Sequence, residues 1–157
     1  MTTYPYKTIS IDKAKLLSRI SAAIGKVTYD LGAKPRLGTL PGSGFTKSDC
    51  SGFVRWLLYA ATGGAIKLLP GSWHQQEWCK SQNFKKTDYL QHAGLQDHRL
   101  RVAFINAKNG KVGHVWLILD GYTLESHGGK GANRRKWNTD VLINNVAACY
   151  VLTEPLI

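Results

Sequence analysis

A cysteine and two histidines are the residues of this chain whose types and placement could do chemistry together. Cys50 lies in Ser48-Asp49-Cys50-Ser51-Gly52-Phe53-Val54, directly ahead of the apolar run Arg55-Trp56-Leu57-Leu58-Tyr59-Ala60-Ala61. Asp49 or Ser48 can cap a helix there, and Phe53, Val54, Leu57, Leu58 and Ala61 recur at helical spacing. A thiol at a helix start sits over unpaired backbone N–H groups and the positive end of the helix dipole, which favour the nucleophilic thiolate. The competing reading is a small buried hydrophobe, the usual fate of a free cysteine. On this stretch alone both readings stand.

The histidines break the tie. Asp120-Gly121 separates two extended stretches and is a strong signal for a two-residue type I′ turn. That turn sets His114 directly opposite His127, on one face, with Cβ atoms about 4.5–5.5 Å apart. Two opposed histidines at the open end of a hairpin are not a packing requirement. With a helix-tip cysteine they suggest nucleophile, base and orienter. His114 would take the Cys50 proton, and His127 would hold the other ring nitrogen of His114. Attack on an amide carbonyl would produce an oxyanion, which the Cys50 backbone N–H is placed to receive. The reaction class is acyl transfer, most simply amide hydrolysis through a thioester.

The elements that must position these groups follow in chain order. Residues 11–25 read as a helix capped by Ser10, with Ala14, Leu17, Ile20 and Ile24 on one face. Residues 33–48 form a Gly/Pro-rich loop, a surface feature or flap. The cysteine helix ends near Thr62-Gly63-Gly64, and Ser72 with Gln75 proposes a capping box for a third helix. The polar stretch 82–98 reads as loop, and Asp88, His92, Asp97 and His98 are assigned no chemistry. Strands are expected at 100–105, 113–119, 122–127 and near 147–153, with Val115, Leu117, Leu119, Tyr122 and Leu124 facing the core. Helices first and an antiparallel sheet second make an α+β fold, expected as a single domain over residues 1–157.

Composition narrows the partners. With 21 Lys+Arg against 10 Asp+Glu the net charge is +11, which favours polyanions such as nucleic acid, an anionic membrane or an acidic wall polymer. The basic residues are scattered and match no nucleic-acid motif, so a nucleic-acid-binding module is the weaker, non-enzymatic alternative. The three cysteines fit no disulfide or zinc framework; Cys149 reads as core, and His74 with Cys79 lacks a second pair, so no metal or other cofactor is expected. No stretch has the length of a membrane span, and residues 1–9 lack the apolar core of a signal peptide.

At the nucleophile the chain resembles the NlpC-type cell-wall cysteine peptidases, a compact branch of the papain-like fold. Asp49-Cys50-Ser51-Gly52-Phe53-Val54 reproduces all six positions of their signature. Tyr29 with Gly32 is similar to the upstream Tyr and Gly-Gly element, although Ala33 stands for the second glycine. Leu69-Pro70 and Gln76 fit a downstream stretch, Gly113-His114-Val115 fits the Gly-His-Val strand, and His127 falls where the third polar residue is expected. The usual Gly-Asp-Leu ahead of the histidine is replaced by Arg99-Leu100-Arg101-Val102.

The resemblance implies a compact papain-like domain, its nucleophile helix packed on a small antiparallel sheet, that acts without a cofactor on peptidoglycan stem peptides, commonly after γ-D-glutamate. It implies Cys50, His114 and His127 as catalytic residues and Tyr29, Asp49 and Ser51 as substrate-side or oxyanion-side residues. Lys130, Arg134, Arg135 and Lys136, which follow His127, are read as a cationic rim or as a solvated basic loop. The expected setting is the periplasm or cell wall, reached without a Sec signal, as for an antibacterial effector of a type VI or other contact-dependent system or a phage lytic enzyme. A monomer is expected, with a cognate inhibitor or immunity protein as a candidate partner. A papain-like acyltransferase or a cytoplasmic wall-peptide recycling amidase are the enzymatic alternatives.

Overall fold

The computed structural model describes residues 4–157. Helix α1 (Lys13–Ala23) starts at Asp12, not Ser10: the Asp12 carboxylate accepts the Lys15 N–H, while Leu16, Ile20 and Ala23 are buried. Two very short strands, β1 (Thr28–Tyr29) and β2 (Lys47–Ser48), run parallel and pair Tyr29 with Ser48. The loop between them is no free flap. The Trp56 indole donates to the Thr39 carbonyl at 2.8 Å, and Phe45 packs edge-on against Trp56 at 5.0 Å.

Helix α2 (Cys50–Ala61) follows β2 at once and has most of its residues buried. Helix α3 (Ser72–Ser81) lacks the expected capping box. Its cap position is Gly71, and Gln75 instead donates its side-chain amide to the Ser51 and Leu69 carbonyls, at 2.9 and 3.1 Å. A tertiary contact to α2 has replaced a local one. The stretch expected to be loop holds β3 (Lys85–Lys86) and the single turn α4 (Tyr89–His92), capped by Asp88.

The remaining strands are β4 (Arg101–Ile105), β5 (His114–Leu119), β6 (Tyr122–His127), β7 (Gly131–Asn133) and β8 (Ala148–Val151), with the turn α5 (Asp140–Ile143) before β8. The six-stranded sheet has the order β3-β8-β4-β5-β6-β7, and its neighbours are antiparallel. This is the expected α+β architecture with a helix layer against an antiparallel sheet. Val115, Leu117, Leu119 and Leu124 face α1 and α2 in one core cluster, which also holds Cys50 and Cys79. Trp116, Ile118 and Cys149 lie in a second cluster with Tyr89 and Leu142. Both faces of the central strands are therefore covered. Tyr122, expected in the core, is 44% exposed because it stands at the turn and lies beneath the Arg134 guanidinium.

The β5–β6 hairpin has the expected turn and register, with Asp120 and Gly121 at positive φ and Leu117 paired with Leu124. Past that pair β6 binds β7, Glu125 opposite Asn133 and His127 opposite Gly131. Gly131 permits the close approach of β7 to β1: at its φ of 80° a Cβ would lie 2.1 Å from the Val27 carbonyl oxygen. Gly131→Ala is expected to lower stability by more than about 2 kcal/mol, measured by urea denaturation, because neither backbone can yield.

Candidate active site

Cys50 is the first residue of α2 and is 7% exposed. Asp49 caps the helix by accepting the Gly52 N–H at 2.8 Å, which leaves the Cys50 N–H without an intrahelical partner. Gly52 is required there: a Cβ would lie 2.9 Å from the capping oxygen and 3.0 Å from the Ala33 carbonyl. The other cysteines differ. Cys79 and Cys149 are each 1% exposed, and burial pushes the Cys149 thiol up to about 12 and that of Cys79 higher still.

His114 opens β5 at the lip of the sheet. Its ring stacks on Trp116, centroids 5.3 Å apart and 19° from parallel, which fixes its plane. Nε2 is hydrogen-bonded to Glu125 Oε1 at 2.8 Å, so Nδ1 is the nitrogen left for the Cys50 thiol, whose interaction with the ring favours the protonated imidazole. Burial alone would lower the His114 pKa. The hydrogen bonds and negative charge of Cys50 and Glu125 outweigh it and raise the value to about 9. The imidazolium is thus the resting form at neutral pH.

Glu125 is the residue that sequence reasoning missed. It is fully buried, and Arg135 clamps it with two hydrogen bonds, Nε to Oε2 at 2.8 Å and a terminal nitrogen to Oε1 at 2.9 Å. Desolvation opposes its charge, but the hydrogen bonds from His114 and Arg135 hold the carboxyl down at about 2. A signal was present. The register that sets His127 opposite His114 puts Glu125 on the same face two residues closer to the turn, a diagonal neighbour within reach of a long side chain.

His127 does not orient His114. Its Nε2 meets the Asn133 side-chain amide at 3.0 Å and its Nδ1 lies 3.2 Å from the Gly128 carbonyl. The expected contact fails because β6 leaves β5 for β7 at this point. Burial lowers the His127 pKa, which favours a neutral ring. His127 still borders the site, facing the same groove as His114 and Tyr29.

Tyr29 lies near Cys50, where burial, then the charges of Cys50 and Asp49, raise its phenol pKa. Asp49 and Ser51, expected on the substrate side, are turned inward and are 3% and 2% exposed. Asp49 also accepts from the Gly32 N–H at 3.1 Å and from Lys34, and Ser51 Oγ accepts from Lys34 Nζ and the Gly71 N–H, each at 3.0 Å. Their lone pairs are spent tying the 30–34 loop and the start of α3 to the tip of α2. The expected cationic rim is likewise dispersed. Lys130 and Lys136 are solvent-exposed, Arg134 lies over Tyr122 at 5.9 Å, and Arg135 is committed to Glu125.

A groove of about 980 Å³ opens from Tyr29, His114 and His127 and runs between the β4–β5 loop and the segment after α5. No group of three or more potential ligands for a metal ion occurs among the described residues.

No protein-family model matches this sequence, and neither does any curated protein. Solved structures do. A Staphylococcus aureus protein described as similar to lipoprotein, NLP/P60 family, is 14% identical with a TM-score of 0.56, the match covering 98% of this chain and 45% of that one. The P60 domain of a Mycobacterium avium subspecies paratuberculosis antigen is 17% identical with a TM-score of 0.53, over 92% and 95% of the two chains. The peptidoglycan hydrolase RipB of Mycobacterium tuberculosis is 20% identical with a TM-score of 0.50, over 94% and 70%. The chain thus spans less than half of the first of these proteins and nearly all of the second. The fold is that of NlpC-type cell-wall peptidases.

Proposed function

We propose that this protein is a cysteine hydrolase of peptidoglycan stem peptides, and the observation that carries the reading is the line Cys50–His114–Glu125 at the tip of a buried helix, beside an open groove. In this reading the Cys50 thiolate attacks the amide carbonyl, and the oxyanion is met by the Cys50 N–H. His114, protonated at neutral pH, gives its proton to the departing amine as the C–N bond breaks. Having lost that proton, it then takes one from water, which attacks the thioester and frees Cys50. Glu125 keeps the ring in place and offsets its charge in both half-reactions. The likeness to RipB, a peptidoglycan hydrolase, supports the substrate class, and the bond after γ-D-glutamate is the proposed target. The proposed place of action is accordingly the bacterial wall, with delivery as an antibacterial effector or lytic enzyme.

Digestion of purified peptidoglycan, with the fragments identified by mass spectrometry, tests the reading. The wild type is expected to release new amino termini at one stem-peptide bond and Cys50→Ala none. No release by the wild type on walls of either common peptide chemistry overturns it, and fragments carrying a new amine in place of water would establish a transferase.

A further inference from the structure

The β4–β5 loop closes on Lys108-Asn109-Gly110-Lys111. Asn109 and Gly110 have φ of 52° and 78°, and Lys108 and Lys111 exchange backbone hydrogen bonds of 3.1 and 2.9 Å. This is a two-residue turn of the type that demands positive φ at both central positions. It places the two lysines directly opposite each other, with side chains on one face. Like charges so opposed destabilise a hairpin. Among the described residues neither lysine has a carboxylate within ion-pair reach. Both line the groove that leads from His114, and no residue lining that groove is Asp or Glu. The far wall carries the Asn144 and Asn145 amides.

The direction of the chemistry decides what half of a substrate lies there. The departing nitrogen must come within reach of the His114 proton, so the leaving-group half of the substrate extends from His114 into this groove. The loop itself grows from the Ile105–His114 strand pair, which ties the lysines to the catalytic ring through a few residues of backbone. We infer that Lys108 and Lys111 form a binding site for a carboxylate on the leaving-group residue of the substrate. The anion relieves the repulsion that the turn imposes, and the inference rests on the hydrolase reading only for which end of the substrate is bound.

Two tripeptides test it: L-Ala-γ-D-Glu-L-Lys with a free terminal carboxylate and the same peptide as its terminal amide. Their affinities are measured by calorimetry on Cys50→Ala, which binds without turnover. The carboxylate form is expected to bind about tenfold more tightly, an advantage that shrinks as salt is raised. Adding Lys108→Gln and Lys111→Gln is expected to remove the difference and leave the affinity for the amide unchanged. Lys111→Glu, which sets a carboxylate opposite Lys108, is expected to remove it as well. Both lysines are exposed, so unchanged thermal melting serves as the control for folding. Equal binding of the two peptides, binding of neither, or a preference that survives the double exchange overturns the inference. Cleavage of whole peptidoglycan by the wild type is scored separately. A carboxylate preference without any cleavage would keep this site and reject the hydrolase reading.

Discussion

His114→Ala is expected to lower kcat/KM on peptidoglycan fragments by a factor on the order of 10⁴ or more, since the base, the leaving-group acid and the partner of the thiolate are lost together. Glu125→Gln should cost about a hundredfold, because the ring keeps a hydrogen-bonding neighbour but loses the charge that favours the imidazolium. The two differ in their pH profiles. In the wild type, activity is expected to fall as pH rises through about 9, where His114 loses the proton that the departing amine needs. Removing the Glu125 charge lowers the His114 pKa, so this alkaline limb moves to lower pH in Glu125→Gln. His127→Ala, which leaves the His114–Glu125 hydrogen bond intact, should cost about tenfold or less with the limb in place. Steady-state kinetics between pH 5 and 10 check all three. An alkaline limb that moves in His127→Ala and stays in Glu125→Gln would reverse the assignment of the orienting residue.

Arg135→Met is expected to destabilise the fold by about 3–5 kcal/mol, because it leaves Glu125, with no exposed surface, as a buried charge held only by His114. The double variant Arg135→Met/Glu125→Gln should recover much of that loss, since the charge that lacks a partner is gone. The pH dependence follows from the two shifts. Glu125 is depressed to about 2, so its contribution is present above about pH 4.5 and is lost as pH falls through about 2. His114 is raised to about 9, so its contribution is fully present below about pH 6.5 and is lost as pH rises through about 9. The wild type should be most stable between these limits. In Arg135→Met the Glu125 carboxyl rises, and the acid-side loss of stability should begin at higher pH. Urea unfolding at pH 3, 6 and 9 measures both effects, and a wild-type-like stability of Arg135→Met at pH 6 would refute the role given to the clamp.

The parts of the site that rest on one local pattern were legible in the sequence. Cys50 at a helix start follows from Asp49 and the apolar spacing behind it, and the hairpin register follows from Asp120-Gly121, because turn chemistry fixes pairing. What escaped depends on where a strand stops pairing with its neighbour. His127 opposite His114 extends the hairpin register beyond Leu117–Leu124, the last pair the two strands make; past it β6 pairs with β7, and Glu125 takes the hydrogen bond instead. Arg135 looked like one of four surface cations because nothing local marks a buried acid as its partner. Lys34 was hidden for the same reason: it sits in a loop of no periodicity and finds Asp49 and Ser51 only after folding. Ser72 and Gln75 fit a capping box by spacing, yet a tertiary carbonyl on Ser51 competes for Gln75 and wins.

The strand order bears on the sequence in which this fold can assemble. β8, at residues 148–151, lies between β3 and β4, so the sheet keeps an empty slot until those residues have left the ribosome. Glu125 and Arg135 emerge 75 and 85 residues after Cys50. A growing chain therefore carries Cys50 through that stretch of synthesis without the carboxylate clamp around His114. A chain cut short before β8 is left with an open strand edge beside β4, which exposes it to proteolysis.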